Sequence, residues 1–356
     1  MYEPCEQLPP YKDWRSVAQA IKSASTHTAR PGEAGSVASQ ILQAHFDRLL
    51  SRVFFEGDDS QWLLKGGTAM LARVPLTRAT KDIDLAYPVN DLASALPALE
   101  ASASRDLGDH LAFSLTATRQ TGLGDNQPGV QTAHVTFTAA DAESGRRVGD
   151  LQIDVVVGPP PVGHVETVVP ANRLPLPRLI SRPYRLFPIA DQIAEKVCAT
   201  MYRNYGGSGR SSSRVKDLVD LVVILKTQRV ELLQLQRALT AKRLASQMDD
   251  FDEFRIPANW AETYRRLANA TPAVGGVIDA AVAENLVAGF VQPALAGRPI
   301  RHPIGWTPGR GWTSRAIPFG QRTAALTTAI DDTRARAGRR RPGSDQAPII
   351  DSGRDR

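Results

Sequence analysis

The chain has 356 residues, a formal net charge of +6, 42% hydrophobic and 22% charged residues, and two cysteines. That length holds one large domain or two ordinary ones, and the composition fits a soluble globular protein. Cys5 and Cys198 cannot make a disulfide framework, the opening MYEPCEQLPPYKDW is too polar for a signal peptide, and no run approaches the roughly 20 apolar residues that span a bilayer. These features point to a reducing, cytoplasmic setting without a membrane. The positive charge permits an anionic partner such as nucleic acid, although part of the excess sits in an Arg-rich tail.

In chain order, residues 1–30 read as an N-terminal extension with one short helix over 14–21. From Val37, apolar residues recur at helical spacing through Val53. Trp62-Leu63-Leu64 reads as a strand ending at Gly66, 68–74 as a helix stopped by Pro75, and 81–87 as a second strand followed by an Asn90-Asp91 cap. Residues 110–118, 132–138 and 148–157 are further strand candidates. Strands interleaved with helices predict an α/β or α+β core over 31–189. Residues 190–300 read as a mostly helical domain interrupted by NYGGSGRSSS, and 301–356 as a Pro/Gly/Arg-rich, largely disordered tail.

Two short motifs carry the chemistry. In KGGT, Gly66 and Gly67 stand where a strand turns into a helix, allowing a tight turn and a close backbone approach to a ligand. The free amides of the following helix suit a phosphate, Thr68 adds a hydroxyl donor and Lys65 a charge, unless this is an ordinary turn. In KDIDL, Asp82 and Asp84 share one strand face while Ile83 and Leu85 face the other. Such a carboxylate pair suits Mg²⁺ or Mn²⁺, or else lies solvated on an edge strand. In the apolar strand LQIDVVV, Asp154 completes a three-acid cluster able to hold two metals if this strand lies beside the first. Its alternative is a rim position paired with Arg146 or Arg147. Downstream, Lys196 lies in an apolar helix, and Arg214, Asp217 and Asp220 fall at helical spacing in RVKDLVDLVVIL, where an internal Arg214–Asp217 pair is the bland reading.

The order KGGTAM, DIDL, Ala194-Glu195-Lys196 and RVKDLVD resembles the AbiEii/MenT group of nucleotidyltransferase toxins, within the polymerase-β-like superfamily, over about residues 35 to 225. The resemblance implies a mixed-sheet nucleotidyltransferase core completed by a helical C-terminal domain. It assigns Gly66, Gly67 and Thr68, with Lys65 and Arg214, to the nucleoside triphosphate. Asp82 and Asp84, with Asp154 as a third candidate, go to the metals; Lys196 goes to the nucleotide and Asp217 to catalysis. It further implies an NTP-dependent toxin acting on the 3′ end of tRNA, blocking translation, with a cognate antitoxin encoded nearby. Arg203, Arg210 and Arg214 flank the glycine-serine loop, where an RNA backbone would pass.

Other chemistries fall away. The chain has no Walker A motif, Gly122-Leu-Gly124 lacks the third glycine of a dinucleotide fingerprint, and neither Gly-x-Ser-x-Gly nor His-Glu-x-x-His occurs. Two competitors stand: transfer to a protein or a small molecule, and a non-catalytic nucleotide-binding module.

Overall fold

In the computed structural model, which describes residues 8–30, 32, 34–88, 91–121, 130–202 and 212–314, two helices come first, α1 (Trp14–Thr28) and α2 (Val37–Val53). Both begin at a side chain that accepts an otherwise unpaired amide: Asp13 Oδ1 from Ser16 N at 2.8 Å, and Ser36 Oγ from Ser39 N at 3.3 Å. Helix α2 is pinned by buried charge, Arg52 giving two hydrogen bonds to the Asp109 carboxylate at 2.9 and 2.6 Å.

The chain continues through β1 (Leu63–Lys65), α3 (Gly66–Arg73), β2 (Asp82–Tyr87), α4 (Leu92–Ala103), β3 (Leu111–Thr121), β4 (Gln131–Asp141), β5 (Arg147–Val157), β6 (Glu166–Val168) and β7 (Tyr184–Leu186). These strands form one mixed sheet in the order β3-β4-β5-β2-β1-β7-β6. The β2–β5 and β1–β7 pairs are parallel and the other pairs antiparallel. Alternation decides which face is which. On β5, Leu151, Ile153, Val155 and Val157 are buried, whereas Gln152 and Asp154 are partly exposed. The apolar set joins Ile83, Leu85 and residues of α2 and α4 in one core. The polar set is left on the opposite face.

The second half runs α5 (Ile189–Met201), α6 (Val215–Thr227), β8 (Val230–Glu231), α7 (Leu232–Ala245), α8 (Ala261–Asn269), α9 (Ala280–Leu295), β9 (Ile304–Thr307) and β10 (Gly311–Ser314). Leu218, Val219, Leu221, Val222, Val223 and Ile224 of α6 are all fully buried, as expected of a helix apolar on every side. Helix α3 is shared between the two cores: Ala69 and Ala72 join the sheet core, Met70 the helical one. The glycine turn at its start is thereby held between sheet and helices. Among the described residues, no helix is long and apolar enough to cross a membrane.

The chain divides into two units, Met1–Thr313 and Ser314–Arg356, and the described residues belong to the first apart from Ser314. The tail expected from residue 301 is ordered at its start, where β9 and β10 form with β8 a small sheet. Trp306 and Trp312 both pack on Phe290 and give their indole N–H groups to Leu225 O and Phe290 O, each at 2.9 Å. Two tryptophans thus anchor a stretch whose proline and glycine content reads as tail. Cys198 is buried and free, its thiol pushed up to about 12 by burial. Cys5, Asn90, Arg203, Arg210 and 315–356 lie outside the described residues.

Candidate active site

Strand β1 leads straight into α3 through Gly66, whose φ of +62° lies in the left-handed region. A Cβ on Gly66 would stand 1.7 Å from Asp84 Oδ2, so the carboxylate occupies the space a side chain would need. Gly66 O accepts from Gln192 Nε2 at 3.0 Å, which ties the turn to α5. No side chain caps α3, leaving its first amides to other acceptors. Gly66→Ala is therefore expected to cost roughly 1–2 kcal/mol through backbone strain alone and to displace Asp84 as well. The check is the denaturation midpoint and nucleotide transfer of the same preparation, both of which should fall.

Asp82 and Asp84 project from the open face of β2. Thr80 Oγ1 donates to Asp82 Oδ1 at 2.7 Å, and Thr68 Oγ1 donates to the Asp82 carbonyl at 2.8 Å. The Thr68 hydroxyl, expected to face phosphate, thus ties α3 to β2. The parallel register sets Asp154 directly opposite Asp84. The strand adjacency on which a three-acid cluster depended is thus present, with Asp154 beside Asp84 on the neighbouring strand. Asp84 is pushed up to about 6, by burial first and then by the Asp82 carboxylate; Asp154 adds to the rise, and Lys65 and Lys196 only partly oppose it.

Asp154 has a partner that the sequence reading did not assign. Nδ1 of His134, on β4, lies 2.7 Å from Asp154 Oδ1, and its Nε2 lies 2.9 Å from Gln152 Oε1. Arg147, one of the two expected partners, pairs with Asp150 instead. Among the described residues, no group of three or more His, Cys, Asp or Glu side chains is arranged to hold a metal ion. The under-neutralised pair Asp82 and Asp84 nevertheless has the hard-oxygen chemistry of a divalent-cation seat, to be completed by ligand oxygens.

Behind the carboxylates lies a buried ion network. Lys196 Nζ donates to Asp217 Oδ1 at 2.9 Å and Asp220 Oδ2 at 2.7 Å, and Arg214 Nε donates to Asp217 Oδ2 at 2.7 Å. The expected Arg214–Asp217 pair is present, within a larger cluster. Burial disfavours the charge on Lys196, but Asp217 and Asp220 hold it above the ordinary lysine value. Asp217, also pushed up by burial, ends below the ordinary carboxylate range because Lys196 and Arg214 lie beside it. Arg78 also reaches this network, through Asp220. As a single loop cation it carries no periodic signal. Lys65 Nζ is held by Glu195 Oε1 at 2.6 Å and lies over the Phe187 ring.

The open sheet face continues into an apolar cavity of about 120 Å³ lined by Leu63, Ala86, Tyr87, Val156, Phe187 and Ala241, among others. Ala86 and Val156 stand two residues beyond Asp84 and Asp154, the next same-face positions. Asp191 fixes one wall, its carboxylate accepting the amides of Val162 and Gly163 at 2.8 Å each.

Residues 48–283 match the family described as nucleotidyl transferase AbiEii toxin, type IV toxin–antitoxin system. No curated protein matches the chain. Among solved structures it is similar to MenT4, the nucleotidyltransferase toxin Rv2826c from Mycobacterium tuberculosis H37Rv, at 16% identity and a TM-score of 0.45, over 79% of this chain and 98% of that one. It is also similar to JHP933 from Helicobacter pylori, at 16% identity and a TM-score of 0.37, over 69% of this chain and 92% of that one. The family match takes in the glycine turn, both β2 aspartates, Lys196 and the segment from Arg214 to Asp220. The chain belongs to the AbiEii family of nucleotidyltransferase toxins of type IV toxin–antitoxin systems.

Proposed function

We propose that this toxin transfers a nucleotide from an NTP to an acceptor hydroxyl, the 3′ end of tRNA, releasing pyrophosphate and blocking translation. The observation that carries this reading is the contact between the two short motifs. Asp84 fills the space beside Gly66 so closely that one triphosphate seated on the turn lies within reach of both aspartates.

The amides at the start of α3 bind phosphate oxygens, and Lys65, Lys196 and Arg214 supply a positive field. Asp82 and Asp84 would hold Mg²⁺ or Mn²⁺, with Asp154 beside them offering the oxygen that His134 does not engage. Such an ion, when bound, neutralises phosphate charge and makes the acceptor hydroxyl more acidic. The acceptor oxygen bonds to the α-phosphorus as the bond to the pyrophosphate oxygen breaks, and the hydroxyl proton leaves to a carboxylate or solvent. Asp217, kept ionised by its cations, holds Lys196 and Arg214 in place and so positions the charge that faces the triphosphate.

The apolar cavity takes the base and ribose. Ala241→Trp should fill it, raising KM for the NTP roughly tenfold or more with a smaller change in kcat. Steady-state kinetics at varied NTP check this. Arg214, whose side chain is 56% exposed, faces outward where an RNA backbone would pass. NTP and tRNA as substrates place the work in the cytoplasm, where a cognate antitoxin restrains it.

The test supplies purified chain, Mg²⁺, each labelled NTP in turn and total tRNA, with Asp82→Ala as control. Label in tRNA with the wild-type chain alone supports the proposal. Label in protein or a small molecule instead moves the acceptor, and no transfer to any acceptor favours a nucleotide-binding module.

A further inference from the structure

We propose that Arg78 is a phosphate-binding residue of this site, its Nη1 edge meeting the triphosphate over the glycine turn while Asp220 holds the guanidinium in place. This rests on the nucleotidyltransferase reading above.

Arg78 lies in the connection between α3 and β2. Its Nε and Nη2 donate to Asp220 Oδ1 and Oδ2, each at 2.9 Å, a two-bond fork on a carboxylate that is itself fully buried. Asp220 is fixed in turn by Lys196. The guanidinium is therefore held in one orientation.

That fork spends one edge of the group. A guanidinium carries five N–H donors, and the two on Nη1 have no acceptor among the described residues. Gly67 locates that edge: a Cβ there would lie 3.4 Å from Arg78 Nη1 and 3.0 Å from Thr80 Oγ1. The free edge thus stands beside the turn where phosphate is proposed to sit. Arg78 also feels the charge of Asp84, which places it beside the carboxylates that face the same ligand.

Lys196 does not present itself in this way. Its ammonium spends two donors on Asp217 and Asp220, and its side chain is 7% exposed against 16% for Arg78. The lysine sits deeper in the network, and the arginine is at its rim. A planar group can grip a carboxylate with one edge and a phosphate with another, which an ammonium cannot. A purely structural arginine needs the first edge and leaves the second unexplained.

The probe is inorganic tripolyphosphate with Mg²⁺, which removes base recognition from the measurement. Calorimetric titration would compare the full wild-type chain with Arg78→Lys and with the double variant Arg78→Gln/Asp220→Asn. The double variant keeps a hydrogen-bonded pair in place and strands no buried charge. Thermal melts establish which variants are folded. Folded variants should bind tripolyphosphate roughly tenfold or more weakly than wild type, the loss expected for a charged hydrogen bond. A folded variant that binds as tightly as wild type overturns the role of Arg78 and leaves the nucleotidyltransferase reading standing. Absence of binding to the wild-type chain removes both.

Discussion

Asp84→Asn should abolish nucleotide transfer and, at the same time, stabilise the metal-free protein above pH 6. The first effect follows from losing one of two carboxylates at the phosphate site, a loss of roughly 100- to 1,000-fold or more. The second follows from linkage. The Asp84 carboxyl titrates near 6 in the folded chain, against 3.8 for the unfolded chain, because burial and then Asp82 disfavour its charge. Between those values the folded state keeps a proton that the unfolded state has lost, so stability falls as pH rises through this window. Above about 6 the loss is complete. Asparagine has no proton to lose, so the variant escapes it. At pH 8 in chelator, Asp84→Asn should exceed wild type by roughly 1–3 kcal/mol, and near pH 4 the two should converge apart from any effect of the amide itself. Mg²⁺ should raise the melting temperature of wild type more than that of the variant. Denaturant melts across pH, with and without Mg²⁺, measure all three; a variant less stable than wild type at pH 8 in chelator would contradict the repulsion argument.

Lys196→Met carries the opposite sign. The lysine is the shared cation of two acids, each buried, and methionine of similar length leaves Asp217 and Asp220 to Arg214 and Arg78. Removing one member of a buried ion cluster costs about 3–5 kcal/mol, since the remaining charges cannot recover their hydration. Asp220 keeps a two-bond fork, whereas Asp217 keeps an arginine that is 56% exposed and correspondingly screened. The damage should therefore concentrate on Asp217. A carboxylate stranded in this way takes up a proton more readily, so the destabilisation should shrink as pH falls toward 4. Adding Asp217→Asn to Lys196→Met should recover part of the loss at pH 7. Urea unfolding of the single and double variants at pH 7 and pH 4.5 checks these expectations. A loss independent of pH and not eased by Asp217→Asn would place the lysine's contribution in packing.

Much of the site is legible because it is local. Alternation alone puts Asp82 and Asp84 on one face and Ile83 and Leu85 on the other, as the strand has it. Two glycines between a strand and a helix mark a turn, and Gly66 has the left-handed backbone that needs one. What is not local was not legible. Whether Asp154 meets Asp84 depends on β5 pairing with β2 across an intervening strand pair, which no spacing encodes. His134 is one outward residue among several on β4, and only that pairing brings it to Asp154. Asp220 was visible as a helix acid but its partners were not, because Arg78 comes from a loop 142 residues earlier in the chain. Three-residue strands such as β6 and β7 are too short to show a period, and Trp306 and Trp312 order a proline-rich stretch by contacts with α9.

The central claim is that the glycine turn and the paired aspartates act on one triphosphate to transfer its nucleotide. The measurement that tests it most directly compares an NTP labelled on the α-phosphate with the same NTP labelled on the γ-phosphate, each incubated with the chain, Mg²⁺ and tRNA. The α-label is expected to enter the RNA while γ-label is released as pyrophosphate in equal amount, and Asp82→Ala is expected to do neither. Transfer of γ-label to the acceptor, or release of γ-label as orthophosphate without α-label incorporation, would contradict the claim.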